Sequence, residues 1–481
     1  MKEYDAIAIG TGSAMYVIDP MMQRNPGIKV AVIDKDEPGG ICLTRGCIPS
    51  KILLYPAEVV RTIENAGLFG IEVDLRKVSF EKVMGRMRSI IDADIDSIRK
   101  ALLSSPNIDY YPAPAEFTAP YTLKVKNETI HSNMILLSIG SKPIIPPIKG
   151  LEETGYHTSD TILYEKKMPE SLVIVGGGYI AAEYGHFFSA MGSRVTIVGR
   201  NPRFLPQEEP EVSSLAEKEL GKRTTILTGY EVSEATRIGQ RKRILATNPR
   251  TGDKRAIEVD EIMIAAGRGP TTDILHPDRA GIKTDSRGWI AVNEFLETSA
   301  PNVWGFGDAN GKYLFKHKAN YDTTIVYYNA VLKRRIPVDY HAVPHAVFTD
   351  PEIASVGLVE KKAIDQYGQD QILIGFERYE ETAKGEAMAA KDYFVKVIVQ
   401  RESLKIIGAH IIGPQASVLI QEIINLMYTQ DQSARPLLDA MHIHPALSEV
   451  VQRAFEGLMS VGQYRHELQH GRHGGEEQVK D

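Results

Sequence analysis

Cysteine is nearly absent: the 481-residue sequence holds two, Cys42 and Cys47, both within GGICLTRGCIPSK (39–51). So few thiols in so long a chain exclude a disulfide-stapled secreted scaffold. Long apolar runs are missing as well; none approaches the roughly 18 residues that a membrane-spanning helix needs. No block of lysine and arginine occurs and the formal net charge is −6, which argues against a nucleic-acid binder held by a basic face. The opening MKEYDAIAIG carries Glu3 and Asp5 ahead of an apolar strand, so no signal peptide is expected. A cytoplasmic protein is expected, and there close-set cysteines are more often catalytic or metal-binding than structural.

What is present begins with glycine. Forty glycines and a 43% apolar fraction suit an α/β protein with many tight turns, and the length implies more than one domain. The main organising clue is an internal repeat. YDAIAIGTGSAM (4–15) is followed by KVAVID (29–34), and SLVIVGGGYIAAE (171–183) by RVTIVGR (194–200). Each half reads as a buried parallel strand, a glycine turn, a helix and a second strand, which is one dinucleotide-binding βαβ unit. In such a unit the backbone at Gly10 and Gly12, or at Gly176 and Gly178, approaches a pyrophosphate seated on the helix N-terminus. Residues 52–105 have helical spacing, and 138–150 and 265–273 read as a crossover out of the first unit and a return. In 340–460, VKVIVQRESLKIIGAHIIG predicts an antiparallel strand pair and VLIQEIINLMYT a buried helix. From about Val461 the chain is polar and rich in His, Gly and Glu, so 461–481 predicts a disordered tail. Its His466, His470 and His473 are candidate metal ligands by composition alone.

Asp34 ends the second strand of the first unit, where a carboxylate suits the two hydroxyls of an adenosine ribose. Met15 stands where a third glycine is common. In the second unit the place of Asp34 is taken by Gly199, with Arg200 and Arg203 following. Guanidinium groups there favour the 2′-phosphate of NADP(H) over NAD(H). Cys42 and Cys47 follow a Gly-Gly turn and precede Pro49 and Lys51, so they open a helix, where the dipole favours thiolate. A metal site lacks partner cysteines and inert thiols are the bland alternative; a redox disulfide is favoured and no metal site is expected. In MHIHPALSEV (441–450), Glu449 is spaced to orient the imidazole of His444 as a general acid/base, although a capped, solvated helix start has the same pattern.

Taken together, these stretches resemble the pyridine-nucleotide disulfide oxidoreductases, over about residues 3–460. GGICLTRGCIPSK is similar to the redox-disulfide motif, with Thr44 where asparagine is usual. SIGSKPIIP, containing Gly140, and IMIAAGRGP, containing Gly267, resemble the two crossovers. TSAPNVWGFGDANG (298–311) resembles the second FAD motif, with Asp308 in the position that holds the ribityl chain. The resemblance implies a glutathione-reductase-like α/β fold with two Rossmann-like domains and a C-terminal α+β dimerisation domain. The expected division is 1–145 with 268–338 for FAD, 146–267 for NAD(P), and 339–460 for dimerisation. It further implies that Lys51 pairs with Glu183 beside the flavin, that Cys47 faces the flavin, and that Cys42 exchanges with substrate. His444, oriented by Glu449, then comes from the partner of a homodimer. Among substrates the resemblance leans to dihydrolipoamide, free or on a lipoyl-carrying protein. An NADPH-dependent reductase of a low-molecular-weight disulfide, mycothione- or glutathione-reductase-like, is the alternative. The absence of a C-terminal cysteine pair speaks against a mercuric reductase.

Overall fold

Two parallel sheets, one for each copy of the repeat, set the frame of this computed structural model, which describes residues 1–470. In the first, strands Ala6–Ile9 and Val30–Asp34 pair in parallel across helix Met15–Arg24. The five-stranded order is Val303–Gly305, Ile135–Leu137, Ala6–Ile9, Val30–Asp34, Ile108–Pro112. Its edge strand Val303–Gly305 therefore arrives only after the chain has built the second sheet. That sheet runs His157–Thr158, Glu261–Ile264, Ser171–Val175, Arg194–Gly199, Thr225–Thr228, again all parallel. The central strands are buried along their length, as continuous apolar runs must be when both faces of a sheet are covered. Exit and return lie side by side, for Lys142–Pro143 pairs antiparallel with Arg268–Gly269.

Gly10 and Gly176 occupy equivalent places and show why the repeat needs them. Both have positive φ, +100° and +146°. A Cβ on them would meet the carbonyl oxygens of Ser138 and Ala265 at 2.3 and 2.2 Å. The turn is pressed against the neighbouring strand's backbone in each unit, which only glycine allows. Met15 begins its helix half-buried, and Val17, Ile18 and Met21 still seat that helix in the core.

Helices Cys47–Glu64 and Phe80–Ser104 bury Leu53, Leu54, Ala57 and Val60 together with Met84, Met87, Ile91 and Ile95. Residues 345–460 form a six-stranded antiparallel sheet. Strands Phe394–Gln400 and Ile406–Ile412 lie at its centre, and helix Ala416–Met427 packs on it. The tail corrects the sequence reading at its start. Val461–His470 is a helix with Val461 and Tyr464 buried. The Tyr464 hydroxyl donates to Glu211 at 2.9 Å and Arg465 pairs with Glu360 at 2.7 Å. Two apolar anchors one turn apart and waiting carboxylates outweigh a polar composition. His466 and His470 stack at 4.5 Å on its exposed side; residues 471–481, with His473, lie outside the described residues. Among the described residues, the cluster with metal-ligand spacing is Glu209, Glu211 and Glu360, and it closes on the buried Lys396 ammonium at 3.2, 3.2 and 2.8 Å. None of the helices among these residues is long and apolar enough to cross a membrane.

Candidate active site

One cleft of about 570 Å³ collects Gly10, Gly12, Asp34, Cys42, Cys47, Lys51, Gly140, Glu183 and Asp308 along its walls. Its floor is glycine backbone. A Cβ on Gly40, whose φ is +70°, would meet the Gly12 Cα at 2.7 Å, and one on Gly140 would meet Ile41 Cδ1 at 2.6 Å. Bare backbone pressed this closely at a helix N-terminus is a cradle for phosphate. Asp34 accepts from the Thr11 amide and hydroxyl at 2.8 and 2.5 Å and from the Asp36 amide at 3.0 Å; burial raises its carboxyl pKa despite those bonds. At the far end Asp308 accepts from Ser141 Oγ at 2.6 Å. Cradle, carboxylate at one end and anchored Asp308 at the other fit FAD.

The dithiol lies where two helices abut. Cys42 sits in the short helix Gly40–Arg45 and Cys47 is the first residue of Cys47–Glu64; Gly46 breaks the backbone between them. A Cβ on Gly46 would come within 2.8 Å of the Ile41 carbonyl, so the break depends on glycine. Both cysteines are free thiols, Cys47 exposed to the cleft and Cys42 half-buried. The Cys42 thiol donates to Cys47. That bond comes first in lowering Cys47 to about 7, with Lys51 adding its charge against the cost of burial. The same bond, with burial, raises Cys42. Lys51, one turn beyond Cys47, binds both oxygens of Glu183 at 2.8 and 2.7 Å. Glu183 belongs to helix Tyr179–Met191 of the second unit, is buried, and also accepts from the Phe348 amide at 3.2 Å. Three parts of the chain thus converge at one carboxylate.

Other predicted residues lie elsewhere. His444 Nδ1 meets Glu449 Oε1 at 2.9 Å, and the Ala446 amide donates to Glu449 Oε2 at 3.0 Å. The His444 hydrogen bond comes first in holding the Glu449 carboxyl below its usual range. The imidazole is 68% exposed and does not line this chain's cleft. Gly176 and Gly178 form the turn of the second unit, and Gly199 approaches Gly177 at a distance that a Cβ would bring to 3.2 Å. Arg200 and Arg203 are exposed, with no ion-pair partner among the described residues. Gly267, at φ +116°, takes its place in the return segment, where its carbonyl accepts from the Ile144 amide at 3.0 Å.

Several residues of the site went unread in the sequence. Arg268 donates to Ser141 Oγ and O at 2.8 and 3.0 Å and so steadies the donor to Asp308; the signal was its cation beside Gly267. Lys318 and Asp322, fully buried and paired at 2.7 Å, clamp the turn that carries Asp308. Asp322 accepts from the Gly307 amide at 2.9 Å while Lys318 donates to the Gly307 carbonyl at 3.1 Å. Their four-residue spacing in KHKANYD was the available sign. Arg45, Tyr179, Lys316 and His345 also line the cleft, with nothing in the local sequence to mark them.

The sequence pattern described as pyridine nucleotide-disulphide oxidoreductase matches residues 4–337, and that of the dimerisation domain of the same family matches 343–455. Mycothione reductase from Mycobacterium tuberculosis (strain H37Rv) is 35% identical over 469 residues, spanning 95% of this chain and 100% of that one. Dihydrolipoyl dehydrogenase from Thermus scotoductus is 32% identical over 472 residues, spanning 95% and 98%. Among solved structures, the Cu(II) complex of the HOCl-induced flavoprotein disulfide reductase RclA from Escherichia coli superposes with a TM-score of 0.84 at 27% identity, over 95% of this chain and 99% of that one.

Proposed function

The chain belongs to the pyridine nucleotide-disulphide oxidoreductases, flavoprotein enzymes that use FAD and NAD(P)H, and on that premise we propose that it is an NADPH-dependent reductase of a small disulfide. The observation that carries this choice is the second unit's strand end: Gly199 in place of a carboxylate, then Arg200 and Arg203 exposed and without an ion-pair partner among the described residues. Such guanidinium groups suit a 2′-phosphate, and NADPH as donor sets the flux toward disulfide reduction. Dihydrolipoamide, toward which the sequence leans, is the second reading, supported by the 32% identical dihydrolipoyl dehydrogenase.

In this reading residues 1–145 with 268–338 hold FAD, 146–267 the nucleotide, and 339–460 join two copies in a cytoplasmic homodimer. Bound FAD supplies the two-electron link between nucleotide and dithiol. Cys42 gives up its proton to His444 of the partner subunit and attacks the substrate disulfide. One S–S bond breaks, a mixed disulfide forms, and the leaving thiolate takes the proton back from the imidazolium held by Glu449. The Cys47 thiolate then attacks Cys42 sulfur, closing Cys42–Cys47 and releasing the second thiolate for protonation. Lys51 keeps a positive charge beside Cys47, and Glu183 fixes Lys51 in place. Steady-state assays of the holoenzyme with NADPH and NADH against mycothiol disulfide, glutathione disulfide and lipoamide test the reading. Preference for NADPH with a small disulfide is the expected result; turnover confined to lipoamide and NAD(H) would sink it.

A further inference from the structure

His345 is a cleft-lining imidazole that the dithiol chemistry leaves unused. It stands on strand His345–Val347, opposite Ser355 in register. Its Nε2 lies 2.6 Å from Glu208 Oε1, and the other oxygen of Glu208 accepts from Ser355 Oγ at 2.6 Å. Glu208 is buried, with 4% of its side chain exposed against 25% for His345. It comes from the segment that precedes helix Pro210–Gly221 of the second nucleotide-binding unit. The imidazole therefore joins that unit to the cleft wall. Its ring stacks parallel to Phe315, 5.9 Å away at 5°, and Phe315 in turn meets Tyr179 of the second unit at 6.2 Å. Nδ1 has no hydrogen-bond partner among the described residues, and the residue lines the cleft.

We propose that the Glu208–His345 pair recognises the pyridine nucleotide: with Nε2 held by Glu208, the His345 imidazolium presents Nδ1–H to an acceptor oxygen of the nucleotide on the side of the cleft walled by the second unit. The inference rests on the reading that NAD(P)H enters from that side. Protonation decides the chemistry. In the cation both nitrogens donate, whereas the neutral ring that keeps its proton toward Glu208 offers only a lone pair at Nδ1. Burial works against the cation, but the hydrogen bond and charge of Glu208 outweigh it and raise His345 above its ordinary value. The other titratable groups facing the pair are His317 on helix Lys316–Val326, which burial and the charge of His345 lower, and the buried His410, which burial lowers and which acts on Glu208. Donation from Nδ1 is thus complete below the ordinary histidine pKa and is lost as pH rises through the raised one.

Isothermal titration of the holoenzyme with NADP⁺ across pH 5.5–9 tests this without turnover. Wild-type affinity is expected to fall about tenfold or more as His345 deprotonates, the usual worth of a hydrogen bond to a charged group. His345→Gln should bind as weakly at low pH as wild type does at high pH, with no step. Glu208→Gln should keep the step but move it to lower pH, a shift that loss of packing alone would not produce. Equal affinities for wild type and His345→Gln at every pH would overturn the assignment, as would tighter wild-type binding at high pH, which requires Nδ1 as acceptor. A wild-type holoenzyme that takes up NADH but no NADP⁺ at any pH would instead overturn the nucleotide reading on which the assignment stands.

Discussion

At Cys47 the local sequence and the assembled site push the same way. A helix N-terminus favours thiolate from the sequence alone; the Cys42 thiol and Lys51 then bring its pKa to about 7. Thiolate rises with pH, so alkylation of the reduced enzyme by iodoacetamide is expected to accelerate through a midpoint near 7. Cys42→Ala, which removes the donor, should shift that midpoint upward; an unchanged profile would show that the hydrogen bond does not govern Cys47. Cys42→Ser should abolish disulfide turnover while NAD(P)H oxidation with an artificial electron acceptor persists. At Arg200 the expected outcome is selective: Arg200→Glu raises KM for NADPH more than for NADH, and parallel changes for both would return the guanidinium to a solvated turn.

The repeated βαβ unit was legible because its cause is local. A continuous apolar run, a glycine turn and a helical period are properties of neighbouring residues, and both copies fold as that pattern dictates. The glycines pay no heed to side-chain chemistry; they are required by backbone proximity. Gly10→Ala places a Cβ 2.3 Å from the Ser138 carbonyl at a φ of +100°, a strain of about 1–3 kcal/mol before any clash. Purified Gly10→Ala should carry less FAD, read from the ratio of visible to 280 nm absorbance, whereas full occupancy would mean that the turn can relax. The helix Val461–His470 escaped the sequence reading for the opposite reason. Two buried side chains in a polar segment give no periodic signal, and the carboxylates that hold Tyr464 and Arg465 come from residues 211 and 360.

For the whole molecule, the exposed His444–Glu449 pair raises the question of what it serves. It is geometrically formed yet outside its own chain's cleft, and the chain carries the family's dimerisation domain. If each site borrows the imidazole from the partner, His444→Gln should lower disulfide turnover by about 10²–10⁴-fold, the usual worth of general acid/base help, with FAD content unchanged. A mixing experiment separates this from an effect within one chain. Cys42→Ser and His444→Gln homodimers are each expected to be nearly inactive. Their reassorted mixture should recover roughly a quarter of wild-type activity, since half of the dimers are hybrids with one intact site. No recovery after verified subunit exchange would place His444 in the same chain's chemistry or in none.

The two nucleotide-binding units, the paired thiols at a helix start, the five-residue spacing of His444 and Glu449, and the missing carboxylate at Gly199 are all legible along the chain, because each depends on residues near one another in sequence. The folded chain alone reveals that Ser141 and Arg268 steady Asp308, that Lys318 and Asp322 clamp its turn, and that Glu208 holds a histidine 137 residues away at the cleft. The first and last of those contacts arise where the exit and return segments lie side by side and where the antiparallel sheet closes against the second unit. Their energy depends on burial and on distance through space, and neither leaves a periodic trace along the chain.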